Sequence, residues 1–370
     1  MTDRLKTIGL TLMLVLSTLV TAGPAPAAPL DEVIAGAKKE GTLSLMLSSR
    51  FPVKSMTRLE NEIKKRFDVD LKIQFTPVTS MTRAVAGAIM EYKAGVVPTY
   101  DVMNLSQHVA EGTKAGIFEP VDWRSLITKD TNPDILHDHP ATRDAILAYT
   151  GTLGLMYNPE KVPAAQVPKT LQELADPKWK NKLAINSSPN AWTRWAFVLG
   201  KEKLISDLRA ILANGTLQGQ YAEIQARYLL GEVSFCIISS IFVKNSQDKK
   251  MPAAYQSLDF ADITNYSLVV RKGAKHPNAA KLVALYLASA AGSKFIVEES
   301  GAGNMYYPGN YEHDFSLQNK KQGIREVFTT REPDILDFYF SKEFKTWQKD
   351  VKLVLDTGGR KIQTKKKKTR

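Results

Sequence analysis

The chain has 370 residues, 44% of them hydrophobic, with one cysteine and a formal charge of +12. That length fills one large domain or two smaller ones, and the apolar content is that of a globular protein with a full core. The lone Cys236 excludes an intramolecular disulfide; of the charge, seven positives lie in 360–370 and a net +1 in 1–27, which leaves a mildly basic +4 for the body.

Arg4 and Lys6 precede the apolar run "IGLTLMLVLSTLV" at 8–20, and small residues with Ala25 and Ala27 follow. This pattern predicts a secretory signal peptide over 1–27, too short in its apolar part for a comfortable membrane span. Export without disulfides fits a bacterial periplasm. "LDEVIAGAKKEG" predicts a short helix ending at Gly41, and "GTLSLMLSSR" a buried strand after it. Met56, Leu59, Ile63 and Phe67 recur at helical spacing with Ser55 as the expected N-cap, and "VDLKIQF" alternates as a strand. Thr79 and Ser80 open a helix to about 94, and "YDVMNLS" is a third strand. The order β-α-β-α-β implies a parallel sheet covered by helices.

The middle of the chain repeats this grammar. "ILAYTGTLGLMYNP" at 146–159 is a long extended run broken by Gly151 and Gly154, and "KLAIN" at 182–186 is a strand. Helices are expected near 190–200, over 201–214 and over 218–230, then strands at "VSFCIIS" and "YSLVVR", then a helix in "HPNAAKLVALYLAS". Two units of one grammar suggest two lobes joined by long strands. The run "RKIQTKKKKTR" reads as a disordered basic tail, assigned to 357–370. Cys236, inside an apolar strand pattern, reads as a buried thiol.

No phosphate-binding G-x-x-x-x-G-K, no G-x-S-x-G and no H-E-x-x-H occurs, so an enzyme reading has little support and no cofactor is expected. His137 and His139 in "HDHP" are the only close histidine pair; no third ligand is placed beside them, and the stretch reads as a surface loop. Small polar residues instead gather where strands end: Ser48 and Ser49, Asn104 and Ser106, Asn186 with Ser187 and Ser188, Ser239 and Ser240. In open α/β sheets ligands bind outside the carboxyl ends of strands. Each pair alone could equally cap a helix. Four such ends in two lobes point to a shared cleft. Arg50 and Arg194 are the candidates for meeting a carboxylate or phosphate. Trp192 and Trp195 are expected on different faces, one in the core and one against the ligand.

"LDEVIAGAKKEGTLSLMLSS", "YDVMNLSQHVAEGTKAGIFEPVD", "YNPEKVP…PKTLQELADPKWK" and "GAKHPNAAKL" resemble the periplasmic solute-binding proteins of ABC importers. The likeness is to the branch that holds ferric-ion, phosphonate, thiamine and polyamine binders. It implies an α/β, two-lobed periplasmic binding protein type II fold, with mostly parallel sheets and hinge crossover strands. The expected lobes are 28–145 plus 265–322, and 146–264 plus 323–356. By position the resemblance implies a first wall at Ser48, Ser49 and Ser106, a crossover at Thr150 and Thr152, and a second wall at Ser187, Ser188, Asn190 and Trp192. Ser239, Ser240 and Tyr266 complete the site. The implied partners are a small-molecule solute and membrane permease and ATPase subunits; a monomer without nucleic acid is expected. The iron-binding members carry adjacent tyrosines where this chain reads Ser239, Ser240, Ile241, Phe242. That departure argues for an organic solute, with an anion allowed, and leaves an Fe(III) importer or a sensor that presents solute to a receptor as alternatives.

Overall fold

The computed structural model describes residues 29–137 and 139–360. The expected signal peptide, Asp138 and residues 361–370 of the tail lie outside the described residues.

The first unit runs α1 (Pro29–Glu40), β1 (Thr42–Ser48), α2 (Ser55–Phe67), β2 (Lys72–Val78), α3 (Met81–Lys93), β3 (Val102–Leu105), α4 (His108–Lys114) and α5 (Trp123–Leu126). The long β4 (Ala145–Tyr157) leads to β5 (Leu183–Asn186), α6 (Pro189–Leu199), α7 (Lys201–Ala213), β6 (Leu217–Gly219), α8 (Tyr221–Leu229), β7 (Phe235–Ser239), α9 (Ser240–Asp248) and β8 (Ala254–Gln256). Then β9 (Ala261–Val270) returns the chain to α10 (Pro277–Ala288), α11 (Ala290–Ser300), α12 (Tyr311–Lys321), β10 (Glu326–Phe328), α13 (Pro333–Tyr339) and α14 (Lys342–Asp356).

The strands form one mixed sheet in the order β2-β1-β3-β9-β4-β7-β5-β6, with β10 beside β9 and β8 beside β4. β1, β2 and β3 are mutually parallel, as are β5, β6 and β7. The antiparallel pair β4–β9 runs through both halves, from Ala145 opposite Val269 to Leu153 opposite Asp262, with a register shift between Leu147 and Tyr149. Two parallel sheets thus meet on a two-strand crossover, which is the expected periplasmic binding protein fold. One core packs Leu43, Leu45, Leu59, Ile63 and Leu282 from β1, α2 and α10; another packs Ile185, Trp195, Leu208, Ile237 and Val354 from β5, α6, α7, β7 and α14. Each such aliphatic side chain contributes about 2 kcal/mol when buried.

Several local expectations are corrected. Ser55 does not cap α2. It is the first helical residue, and its hydroxyl donates to Glu299 on α11 at 2.5 Å instead, so a contact between helices takes the group that would have capped one. Ser80 does cap α3, accepting from Arg83 N at 3.3 Å. The helix expected over 218–230 begins only at Tyr221: residues 217–219 pair with β5, and Gln220 with Glu223 forms a capping box. β9 starts five residues before the expected strand, because buried Asp262 and Asn265 hide its apolar pattern. α12 packs against β8, with the Phe315 ring stacked on Tyr255 at 4.1 Å and Gln318 Nε2 donating to Tyr255 O.

Candidate functional site

A cleft of about 350 Å³ opens where both halves meet the crossover strands. The end of β1 supplies Arg50, and the turn between β3 and α4 supplies Ser106 and Gln107. β4 and β9 supply Gly151, Thr152, Leu153, Thr264 and Tyr266 as the floor. Opposite stand Asn186, Ser188, Asn190, Ala191 and Arg194 from β5 and α6, Gln220 and Tyr221 from the start of α8, and Ser239 from the end of β7. The parallel strands β1, β3, β5, β6 and β7 all meet the cleft at their carboxyl ends, where helix amide groups also point. Gly151 leaves room here: a Cβ at that position would lie 3.5 Å from the Tyr266 ring and 3.8 Å from Ser239 Oγ.

The two arginines differ. Arg194, its side chain 11% exposed, forms a two-point pair with Asp262, Nε to Oδ1 at 3.3 Å and Nη2 to Oδ2 at 2.5 Å. Asp262, 2% exposed, also accepts from Trp195 Nε1 at 2.9 Å. The carboxylate that Arg194 meets is therefore one of the protein's own. The Arg50 guanidinium is exposed to the cleft and makes neither a hydrogen bond nor an ion pair among the described residues.

Tyr266 stacks on Tyr149 with ring centroids 4.5 Å apart, and Tyr149 Oη donates to Asn104 Oδ1 at 2.7 Å, which fixes the ring at the floor. Burial pushes the Tyr266 and Tyr221 hydroxyls above the ordinary phenol range, while Arg50 and Arg194 pull them back. Both are neutral phenols near pH 7, and neither hydroxyl has a hydrogen-bond partner among the described residues.

Below the floor lies Glu312, 1% exposed at the start of α12. It accepts from Thr152 Oγ1 at 2.7 Å, from Thr152 N at 3.3 Å and from Ser240 Oγ. Burial raises its carboxyl above the usual range, with these hydrogen bonds opposing. The Thr150 hydroxyl is taken too, accepting from Met305 N at 3.0 Å.

Of the residues singled out in the sequence, Arg50, Ser106, Thr152, Asn186, Ser188, Asn190, Arg194, Ser239 and Tyr266 line the cleft. The others do not. Ser48 Oγ accepts from Arg50 N in the turn after β1, and the Ser49 amide donates to Val78 O. Ser187 Oγ accepts from Gln220 Nε2 at 3.2 Å. Thr150 and Ser240 are buried in the bonds just described. Trp192 is 1% exposed, donates to Asn186 O at 2.8 Å and meets Trp195 edge-on at 5.6 Å. Residues three apart on a helix share a side, so both tryptophans are core.

His137 is also buried, not part of a surface loop; its Nε2 lies 2.9 Å from Ser267 Oγ, while His139 Nδ1 accepts from Ala141 N. The pair Tyr306–Tyr307 is engaged away from the cleft, with Arg331 and with Ala288 O. No group of three or more His, Cys, Asp or Glu suited to a metal occurs among the described residues. Sequence reasoning missed Tyr221, Gln107, Gln220 and Thr264; the Gln220–Glu223 spacing was the one signal that could have put Tyr221 at a helix start.

Residues 98–321 match the model of the bacterial extracellular solute-binding protein family. No curated protein matches the chain. Among experimental structures, iron-bound HitA from Pseudomonas aeruginosa is 17% identical, with a TM-score of 0.63 over 84% of this chain and 99% of that one. The spermidine/putrescine ABC transporter substrate-binding protein PotD from Streptococcus pneumoniae is 14% identical, with a TM-score of 0.66 over 86% and 99%. An ABC transporter substrate-binding protein from Agrobacterium tumefaciens is 12% identical, with a TM-score of 0.65 over 89% and 97%. At these identities the likeness is one of fold. The family match spans more than half of the sequence, and the chain is a member of the bacterial extracellular solute-binding protein family.

Proposed function

We propose that this protein is exported, captures a small organic anion between its two lobes, and delivers it to an ABC-type permease and its ATPase. The leader read at 1–27 supports export, and the ABC-transporter proteins among its fold neighbours support the delivery step. One observation carries the choice of solute: Arg50 is a cation facing the cleft without a protein partner, while Arg194 is neutralised by Asp262. An anion is the solute that supplies the missing partner, and Ser239, Ser188 and the two phenols offer it neutral donors. Binding is non-catalytic. The solute bridges the lobes, and closure follows to the extent that the closed form binds it more tightly.

A second reading, Fe(III) capture, has the phenols of Tyr221 and Tyr266 and iron-bound HitA in its favour. Against it stands Arg50, a cation unpaired among the described residues, which lines the same cleft and repels a ferric ion. Calorimetric titration with a panel of small carboxylates and phosphonates, and with Fe(III) citrate, tests the choice. The expected outcome is saturable binding of at least one organic anion, weakened at least tenfold in Arg50→Met. Binding of Fe(III) alone, unchanged in that variant, contradicts it.

A further inference from the structure

We propose that the solute is a polyhydroxylated monocarboxylate, of the sugar-acid class: its single negative charge meets Arg50, and its hydroxyl groups meet the neutral wall of the cleft. This rests on the reading of the cleft as an anion site and adds what the rest of the solute must carry.

The charge is set by what the cleft leaves open. Among the described residues that line it only Arg50 and Arg194 are charged, and Asp262 neutralises Arg194. One open cation matches one negative charge. A phosphate monoester carries about −1.5 to −2 near pH 7, so part of its charge would go unmatched. No carboxylate is on hand for a positive group either. Asp262 is given to Arg194 and Trp195, and Glu312 to Thr152 and Ser240. An ammonium enclosed here would have no counter-charge, which sets aside amino acids and other zwitterions.

The neutral groups define the remainder. Asn186 Oδ1 accepts from Ser188 N at 2.8 Å, and Asn190 Oδ1 accepts from Gln348 Nε2, so each of these amides is left with N–H groups to offer. Gln107 is held the other way round. Its Nε2 donates to Tyr339 Oη at 3.0 Å, which leaves its carbonyl Oε1, a pure acceptor, without a partner among the described residues. A carboxylate cannot satisfy an acceptor, whereas an O–H can. Tyr221 Oη, Tyr266 Oη and Ser239 Oγ lack partners among the described residues too, and each both donates and accepts. A solute hydroxyl has the same two-way capacity, so one chemistry suits the fixed donors, the fixed acceptor and the two-way groups alike. Apolar surface is short, with Leu153 and Ala191 the only aliphatic side chains among the described residues of the lining. The volume of about 350 Å³ is at the small end for ligand pockets, which fits a compact acid.

Calorimetric titration of the purified protein with gluconate, galactonate, hexanoate, norleucine, glucitol and glucose 6-phosphate tests this, since all have six carbons and differ in charge and hydroxyl content. The tighter of the two sugar acids should bind at least about a hundredfold better than hexanoate or norleucine, because a missing hydroxyl leaves polar groups of the cleft unpaired. Glucitol, which lacks the charge, should bind at least about tenfold more weakly than that acid, and Arg50→Met should erase the difference. Gln107→Met and Ser239→Ala should each weaken the sugar acid about tenfold and leave hexanoate unchanged, with thermal melts of both variants separating a lost contact from a lost fold. If hexanoate binds as tightly as the sugar acids in an Arg50-dependent way, the hydroxyl inference is overturned and the anion reading stands. Tighter binding of glucose 6-phosphate or of norleucine than of either sugar acid overturns the single-charge assignment. If none of the anions binds, the anion reading falls, and this inference with it.

Discussion

Arg50 and Arg194 carry the same charge and reach the same cleft, yet only Arg50 is open to a solute. Asp262 makes the difference, and as a residue inside a strand it had no motif to announce it. Removing it leaves Arg194 largely buried without a counter-charge, so Asp262→Asn should cost about 3 kcal/mol in urea unfolding. The double variant Asp262→Asn with Arg194→Met should recover most of that; no recovery would mean that the ion pair is not the cause. His137 makes a second residue-scale prediction. Burial, with Arg331 nearby, pushes its imidazole down to about 3 from an ordinary 6.5. The unfolded chain therefore binds a proton below pH 6.5 that the folded chain refuses until about pH 3. Stability attributable to this group is lost as pH falls through that window, at up to about 1.4 kcal/mol per pH unit. The stability gap between the native protein and His137→Gln should narrow at that rate between pH 6 and pH 4.5. Glu312, whose raised carboxyl acts with the opposite sign, is common to both proteins and cancels.

At the scale of elements, the same residue type has opposite expected effects in two helices. Gly292, in the first turn of α11, sits so close to the end of α10 that a Cβ would lie 1.9 Å from Tyr286 O and 2.5 Å from Leu287 Cα. Gly292→Ala should destabilise by about 3 kcal/mol or more, because backbone cannot yield as a side chain can. Gly87, inside α3, has no atom within 4 Å of such a Cβ. Gly87→Ala should stabilise by about 0.5–1 kcal/mol through helix propensity. Thermal melts of the two variants check both signs. Elements with one clear period were legible in the sequence: β1, α2, α3 and α10 fall where apolar spacing puts them. Elements set by tertiary pairing were not. β6 takes two residues from an expected helix because β5 offers an open edge, and β9 extends over polar residues whose partners, Arg194 among them, lie far away in the chain.

For the molecule as a whole, the two-lobed plan was readable because β-α-β units repeat and the crossover strands are long and glycine-broken. The cleft was readable only as a neighbourhood. Strand ends put Arg50, Ser106, Ser188 and Ser239 at the cleft, since that location follows from parallel strands alone. Which hydroxyl is free does not follow from position. Ser240 and Thr152 follow Ser239 and Gly151 of the cleft lining, yet both bond to Glu312, which reaches them from α12, 72 and 160 residues further along the chain. That network ties α12 to β4 and α9 beneath the cleft floor and braces the crossover there.

The most direct test of the central claim is native mass spectrometry of freshly purified protein beside its Arg50→Met variant. The account predicts a one-to-one adduct with the mass of a small organic anion on the native chain, absent or strongly reduced in the variant. An adduct of iron or of a polyamine, or an organic adduct retained equally by both proteins, would contradict it.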